Sequence, residues 1–119
     1  MNENAKAWVK ALRSGDYQQT RHALRRDNGF CCLGVACDLA VKAGLPVELR
    51  ESCGMVTYNG EKSGLPPIVR AWLGLSEVDG YMEGFACGCY SLAYMNDHGG
   101  SFTEIADAIE EEPLGLFVR

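Results

Sequence analysis

The sequence predicts a mainly helical α+β fold: a compact bundle of four to five short helices with one or two small β-hairpins, in a single domain spanning residues 1–119. Three observations predict it. Apolar residues recur at helical spacing in several short runs, each closed by glycine or proline. Asn-Gly pairs at Asn28-Gly29 and Asn59-Gly60 mark tight turns, because both residue types tolerate positive φ. Ser101 and Glu104 form a capping box at the head of the last apolar run. A chain of 119 residues has the length for one hydrophobic core and not for two.

The elements follow in order. Ala5, Trp8, Val9 and Leu12 share one stripe over Asn4 to Arg13, and Ser14-Gly15 stops that helix. Residues 16–30 carry the Asp27-Asn28-Gly29 turn and read as a short hairpin ending at Phe30-Cys31-Cys32, with His22 on an exposed strand. From Leu33 to Ala43, Leu33, Ala36, Cys37 and Ala40 make a broad apolar face, which predicts a central helix closed by Gly44. Met55 to Tyr58, followed by Asn59-Gly60, reads as a second hairpin. Pro66-Pro67 opens a short helix that buries Ile68, Val69, Trp72 and Leu73 and stops at Gly74. Residues 76–90 read as an irregular loop with a strand across Phe85 to Tyr90. A short helix around Leu92, Tyr94 and Met95 stops at Gly99-Gly100. The last helix buries Phe102, Ile105, Ala106 and Ile109 and ends at Pro113, after which Leu114 to Val118 docks on the core.

Composition narrows the function classes. Hydrophobic residues at 47% with charged residues at 23% lie in the globular range, where burial offsets the entropy lost on folding. The net charge of -5 is unevenly spread. Lys6, Lys10, Arg13, Arg21, Arg25 and Arg26 outweigh Glu3 and Asp16 at the start, whereas residues 71–118 hold acids and no lysine or arginine. Such a chain repels a polyphosphate backbone over most of its surface, so extended nucleic acid is not an expected partner. The first residues hold no apolar run behind a basic region, and no stretch reaches the roughly 18 apolar residues that cross a bilayer. No membrane association is expected, a cytoplasmic location is expected, and the thiols are expected to stay reduced.

Three segments together carry a family resemblance: Phe30-Cys31-Cys32-Leu33-Gly34-Val35-Ala36-Cys37-Asp38-Leu39, Leu65 through Leu75, and Met95-Asn96-Asp97 with Gly100 through Asp107. The chain resembles a group of small uncharacterised proteins encoded by phages and prophages. That resemblance implies a setting rather than a reaction. Small phage proteins often inhibit host defence, and some act as sponges that enclose a nucleotide signal.

The residues supply few catalytic signals. Cys31, Cys32, Cys37, Cys53, Cys87 and Cys89 include an adjacent pair and a C-x-C but no C-x-x-C, which argues against zinc and for small core hydrophobes. Only His22 and His98 could serve a cysteine nucleophile, and nothing in the spacing fixes their geometry. Asp38 and Asp97 lie on different elements; Asp97 suits a hydrogen bond in the turn before Ser101, and Asp38 suits solvent or a basic neighbour. No catalytic residue, metal or cofactor is assigned.

Anion binding is better motivated. Gly34 lies near the start of the central helix, where free N–H groups receive phosphate oxygens, and Arg25 and Arg26 precede it. Trp8 and Trp72 fit core packing by their helical spacing, whereas Tyr17, Gln18 and Gln19 lie off any apolar stripe. The expected ligand-binding set is Tyr17, Gln18, Gln19, Arg21, Arg25, Arg26, Gly34, Asn96 and Asp97. The expected activity is sequestration of a small phosphorylated nucleotide without cleavage, with a homo-oligomer as one way to enclose it. The alternatives are an acidic inhibitor that covers a basic patch on a host protein, and a small nucleotide-processing enzyme.

Overall fold

A computed structural model describes residues 1–83 and 90–118. Helix α1 (Glu3–Arg13) buries Ala5, Trp8, Val9 and Leu12, the expected stripe, and Asn2 caps it by accepting from the Ala5 N–H at 2.8 Å. Helix α2 (Cys32–Lys42) is the central one: residues 32–37 and Ala40 are all buried. Trp8 ties the two together, its indole N–H donating to the Cys32 carbonyl at 2.9 Å inside the core.

The α+β class and the short helices are as expected, but in place of a mainly helical bundle with separate small hairpins the described residues form a five-stranded sheet beside the helices. Its strands are β1 (Gln18–Gln19), β2 (Arg25–Arg26), β3 (Gly29–Phe30), β4 (Leu49–Ser52) and β5 (Met55–Tyr58), in the order β1-β3-β2-β5-β4. The β2–β3 hairpin turns at Asp27-Asn28 as its residues predict. The second hairpin differs from expectation. Strand β5 pairs backward with β4 through Cys53-Gly54, while Asn59-Gly60 closes only a single bridge between Tyr58 and Glu61. Strand β2 pairs antiparallel with β5, so the two hairpins become one sheet, and β1 extends its edge by pairing parallel with β3. Strands of two residues carry no readable alternation, which is why this joining left no mark in the sequence.

Helix α3 (Pro67–Leu73) starts on its proline and stops at Gly74, but it buries only Val69 and Leu73. Ile68 is exposed and Trp72 half-buried, a correction to the expected face. Strands β6 (Tyr81–Met82) and β7 (Tyr90–Ser91) pair antiparallel. The expected strand from Phe85 to Tyr90 lies outside the described residues except at Tyr90. Helix α4 (Leu92–Asp97) buries Leu92 and Asn96. In α5 (Phe102–Glu110) both halves of the capping box are present, and the four expected apolar residues are buried. Leu116 and Phe117 then dock on the core beside Leu75.

Packing α5 on α1 resolves the lopsided charge. Arg13 reaches Asp107 at 2.7 Å and Glu110 at 2.6 Å, and the N-terminal ammonium reaches Glu112 at 2.7 Å. Arg13 and the N-terminal ammonium of the basic start thus meet three acids of the chain's end across one helix interface. No helix of the described residues is long and apolar enough to cross a membrane.

Candidate functional site

The expected site residues separate into three groups. The first surrounds Asn96, which is fully buried at the end of α4. Its side-chain oxygen accepts from the Gln19 amide at 2.8 Å and the Cys32 N–H at 3.1 Å. Its amide nitrogen donates to the Thr20 carbonyl at 2.9 Å. Arg21 donates through Nε to the Asn96 carbonyl at 3.0 Å, and Gln19 also reaches the Gly100 carbonyl at 2.8 Å. Asp97 accepts from the His22 N–H at 2.8 Å, across 75 residues of chain rather than within its own turn as expected. His22 itself sits on no strand and has φ of 66°. Asn96 and Asp97 therefore clasp the segment after β1 to the start of α2.

The same clasp corrects the reading of the α2 N-terminus. Asn96 takes the Cys32 N–H, and the Cys31 sulfur accepts from the Gly34 N–H at 3.4 Å, so protein groups cover the end where phosphate was expected. Gly34 serves close packing instead: a Cβ there would fall 1.7 Å from the Leu24 carbonyl oxygen. Tyr17 is also engaged. Its hydroxyl donates to Asp38, which pairs with Lys42 at 2.9 Å, and its ring meets Phe30 edge-on at 5.1 Å.

The second group lies on the outer face of the sheet. Register places Gln18, Gly29, Arg26, Met55 and Ser52 in one row across β1, β3, β2, β5 and β4. Paired residues share a face, and neighbours along a strand take opposite faces. Gln18, Gln19, Thr20, Arg26, Asp27, Asn28 and Gly29 line a polar hollow of about 260 Å³. Gly29 lets Thr20 pack close along one side of it, because a Cβ there would meet the Thr20 Cβ at 2.9 Å. Arg26 is exposed and makes no ion pair among the described residues. Asp27 sets its carboxylate by the neighbouring turn, where a Cβ on Gly54 would come within 2.4 Å of its oxygen.

The third group lies on the inner face, where Gln19, Phe30, Arg25, Val56 and Glu51 form the adjacent row. Arg25 and Arg26 thus point to opposite sides of the sheet and do not converge on one phosphate with Gly34, as the sequence suggested. The half-buried Arg25 guanidinium lies 4.8 Å from the Phe30 ring centroid. Its Nε and the Tyr58 hydroxyl are both enclosed without a hydrogen-bond partner. Burial pushes the Tyr58 phenol up, and the neighbouring guanidinium pulls it partly back.

Three of the described cysteines are buried thiols. Burial lifts the Cys31 thiol from 9.0 to about 11 and raises Cys32 and Cys37 as well, so thiolate is scarce in them near neutral pH. Cys53 is the exposed thiol among the described cysteines; Cys87 and Cys89 lie outside the described residues. Among the described residues no three His, Cys, Asp or Glu side chains group as metal ligands. Sequence reasoning missed Thr20, Asp27, Asn28 and Gly29 as walls of the outer hollow. The Asn28-Gly29 turn was their signal, legible for its backbone and silent about the space beside it.

Fold and site together define a small α+β protein whose polar side chains either clasp the fold or line shallow hollows on its sheet. The chain belongs to the family described as Domain of unknown function (DUF8296), whose family model matches residues 1–113. No curated protein and no solved structure matches it.

Proposed function

We propose that this protein is a non-catalytic binding module that takes a small phosphorylated nucleotide by its phosphate end, in the outer hollow of the sheet. One observation carries the reading. Arg26, an exposed guanidinium with no ion-pair partner among the described residues, stands beside a glycine-floored hollow that also presents Gln18, Thr20 and Asn28. Arginine and amide donors around an open floor suit phosphate oxygens. Arg21, Asn96 and Asp97 hold the wall in place rather than touch ligand.

Pockets that enclose a small molecule measure about 300–1,000 Å³, so a hollow of about 260 Å³ holds one end of a nucleotide. A second copy of the chain would cover the remainder. The phage resemblance supplies the setting, in which retention of a nucleotide immune signal inhibits host defence in the host cytoplasm. Weakly acidic buried thiols support retention over cleavage. The acids Asp107, Glu110 and Glu112 are spent on α1 and the N-terminus, which favours this reading over an acidic cover for a host protein.

Native mass spectrometry of protein purified from phage-infected, defence-active cells tests the proposal. An intact nucleotide should accompany wild-type protein and be absent from Arg26→Glu. A nucleotide of altered mass, or equal retention by the variant, would defeat it.

A further inference from the structure

The outer hollow has a counterpart on the other side of β2. Leu49, Arg50 and Glu51 of β4, Val56 of β5 and Arg25 of β2 line a second hollow of about 200 Å³. Register sets Glu51, Val56 and Arg25 side by side in one cross-strand row, so their side chains leave the same face. Leu49 opposes Tyr58 on that face and adds an apolar wall, 41% exposed on the edge strand of the sheet. An acid and a base therefore flank an apolar floor. Strand spacing of about 4.8 Å puts their Cα atoms roughly 10 Å apart.

Neither charge is spent. Arg50 pairs with Glu48 at 2.6 Å, but Arg25 and Glu51 have no ion-pair partner among the described residues and do not reach each other across Val56. The exposed Glu51 carboxylate is hydrated. Arg25 is half-buried against the Phe30 ring, and its Nε and the adjoining Tyr58 hydroxyl lack hydrogen-bond partners, so its desolvation is only partly compensated. An anion against the open side of the guanidinium would compensate it. Phosphate suits this place badly, because Glu51 repels a second negative charge and Leu49 and Val56 offer no donors.

We propose that the inner hollow is a second binding site, for a small zwitterion with an apolar body. Its carboxylate lies on Arg25, its methylenes cross Val56 beneath Leu49, and its ammonium meets Glu51. Opposite unpaired charges on one apolar floor select a ligand that carries both ends and reject one that carries either alone. The site is separate from the phosphate hollow, since one β-sheet lies between them.

ε-Aminocaproate is the probe, with caproate and hexylamine as its single-ended analogues. Titrations followed by calorimetry and by the Arg25 Nε resonance should show saturable binding of ε-aminocaproate, with each analogue about tenfold weaker or more. Arg25→Gln and Glu51→Gln should each weaken the zwitterion about tenfold, and Glu51→Gln should leave caproate bound at least as tightly as in wild type. Leu49→Asp, on an exposed strand, keeps the test open if Arg25→Gln fails to fold; it should weaken ε-aminocaproate as well. Arg26→Gln should leave this binding unchanged, which separates the site from the phosphate reading. Absence of saturable binding, equal affinity for caproate, or wild-type affinity in Glu51→Gln would overturn the proposal.

Discussion

The clasp around Asn96 and the two faces of β2 use the same kinds of side chain to opposite ends. At the clasp, Gln19, Asn96, Asp97 and Arg21 have partners within the chain, several more than 70 residues away in sequence. At β2, Arg25 and Arg26 have no ion-pair partner among the described residues, and each borders a hollow. The contrast teaches that an arginine or an amide signals binding only when the fold leaves its hydrogen-bonding capacity unspent. The two regions also differ in what they can tolerate. A clasp residue removed leaves buried backbone groups unpaired, whereas an outward arginine removed leaves only water behind.

The comparison breaks most readily at Asn96. Asn96→Ala orphans the Cys32 N–H and the Thr20 carbonyl and should destabilise the protein by about 3–5 kcal/mol, read from urea denaturation. A loss under about 1 kcal/mol would show that water replaces the clasp. Gly34→Ala comes next: with the Leu24 carbonyl oxygen 1.7 Å from the new Cβ, backbone must shift, and a loss of about 3 kcal/mol is expected in the same measurement.

A third test concerns the thiols beside the clasp. The folded Cys31 thiol holds its proton up to about pH 11, against an ordinary 9.0, so the folded state binds that proton more tightly than the unfolded chain. Its contribution to stability is complete below about pH 9 and is lost as pH climbs toward 11. Denaturation midpoints measured at intervals across that window should fall, and a Cys31→Ala protein should show a shallower fall. A thiol reagent at mildly alkaline pH should modify Cys53 well before Cys31, Cys32 or Cys37.

The smallest effect on stability sharpens the other half of the comparison. Arg26→Gln removes an exposed charge with no ion-pair partner among the described residues and should change unfolding free energy by less than about 0.5 kcal/mol. Nucleotide retention should nevertheless drop about tenfold or more. A large stability loss here would mean that Arg26 belongs to the scaffold, as Arg21 does.

Much of the helical framework was legible along the chain. The stripe Ala5, Trp8, Val9, Leu12, the broad face of α2 and the Ser101–Glu104 box all act within a few turns, where spacing and capping decide the outcome. The same local logic found the Asp27-Asn28 turn. It failed where partners come from afar: Ile68 looked buried by spacing but meets solvent, and β4 held four exposed residues with no apolar alternation to betray it.

The residue sequence by itself determined where most helices begin and end, the apolar faces of α1, α2 and α5, and that the start is basic and the finish acidic. Tertiary structure alone decided which polar groups are spent. Asn96 and Gln19 are 77 residues apart, and Arg25 and Arg26 are adjacent, yet the first two share one hydrogen bond and the second two face opposite sides of a sheet. The physical reason is that pleating and chain crossing set the direction of a side chain and the identity of its neighbours. Neither is carried by local propensity.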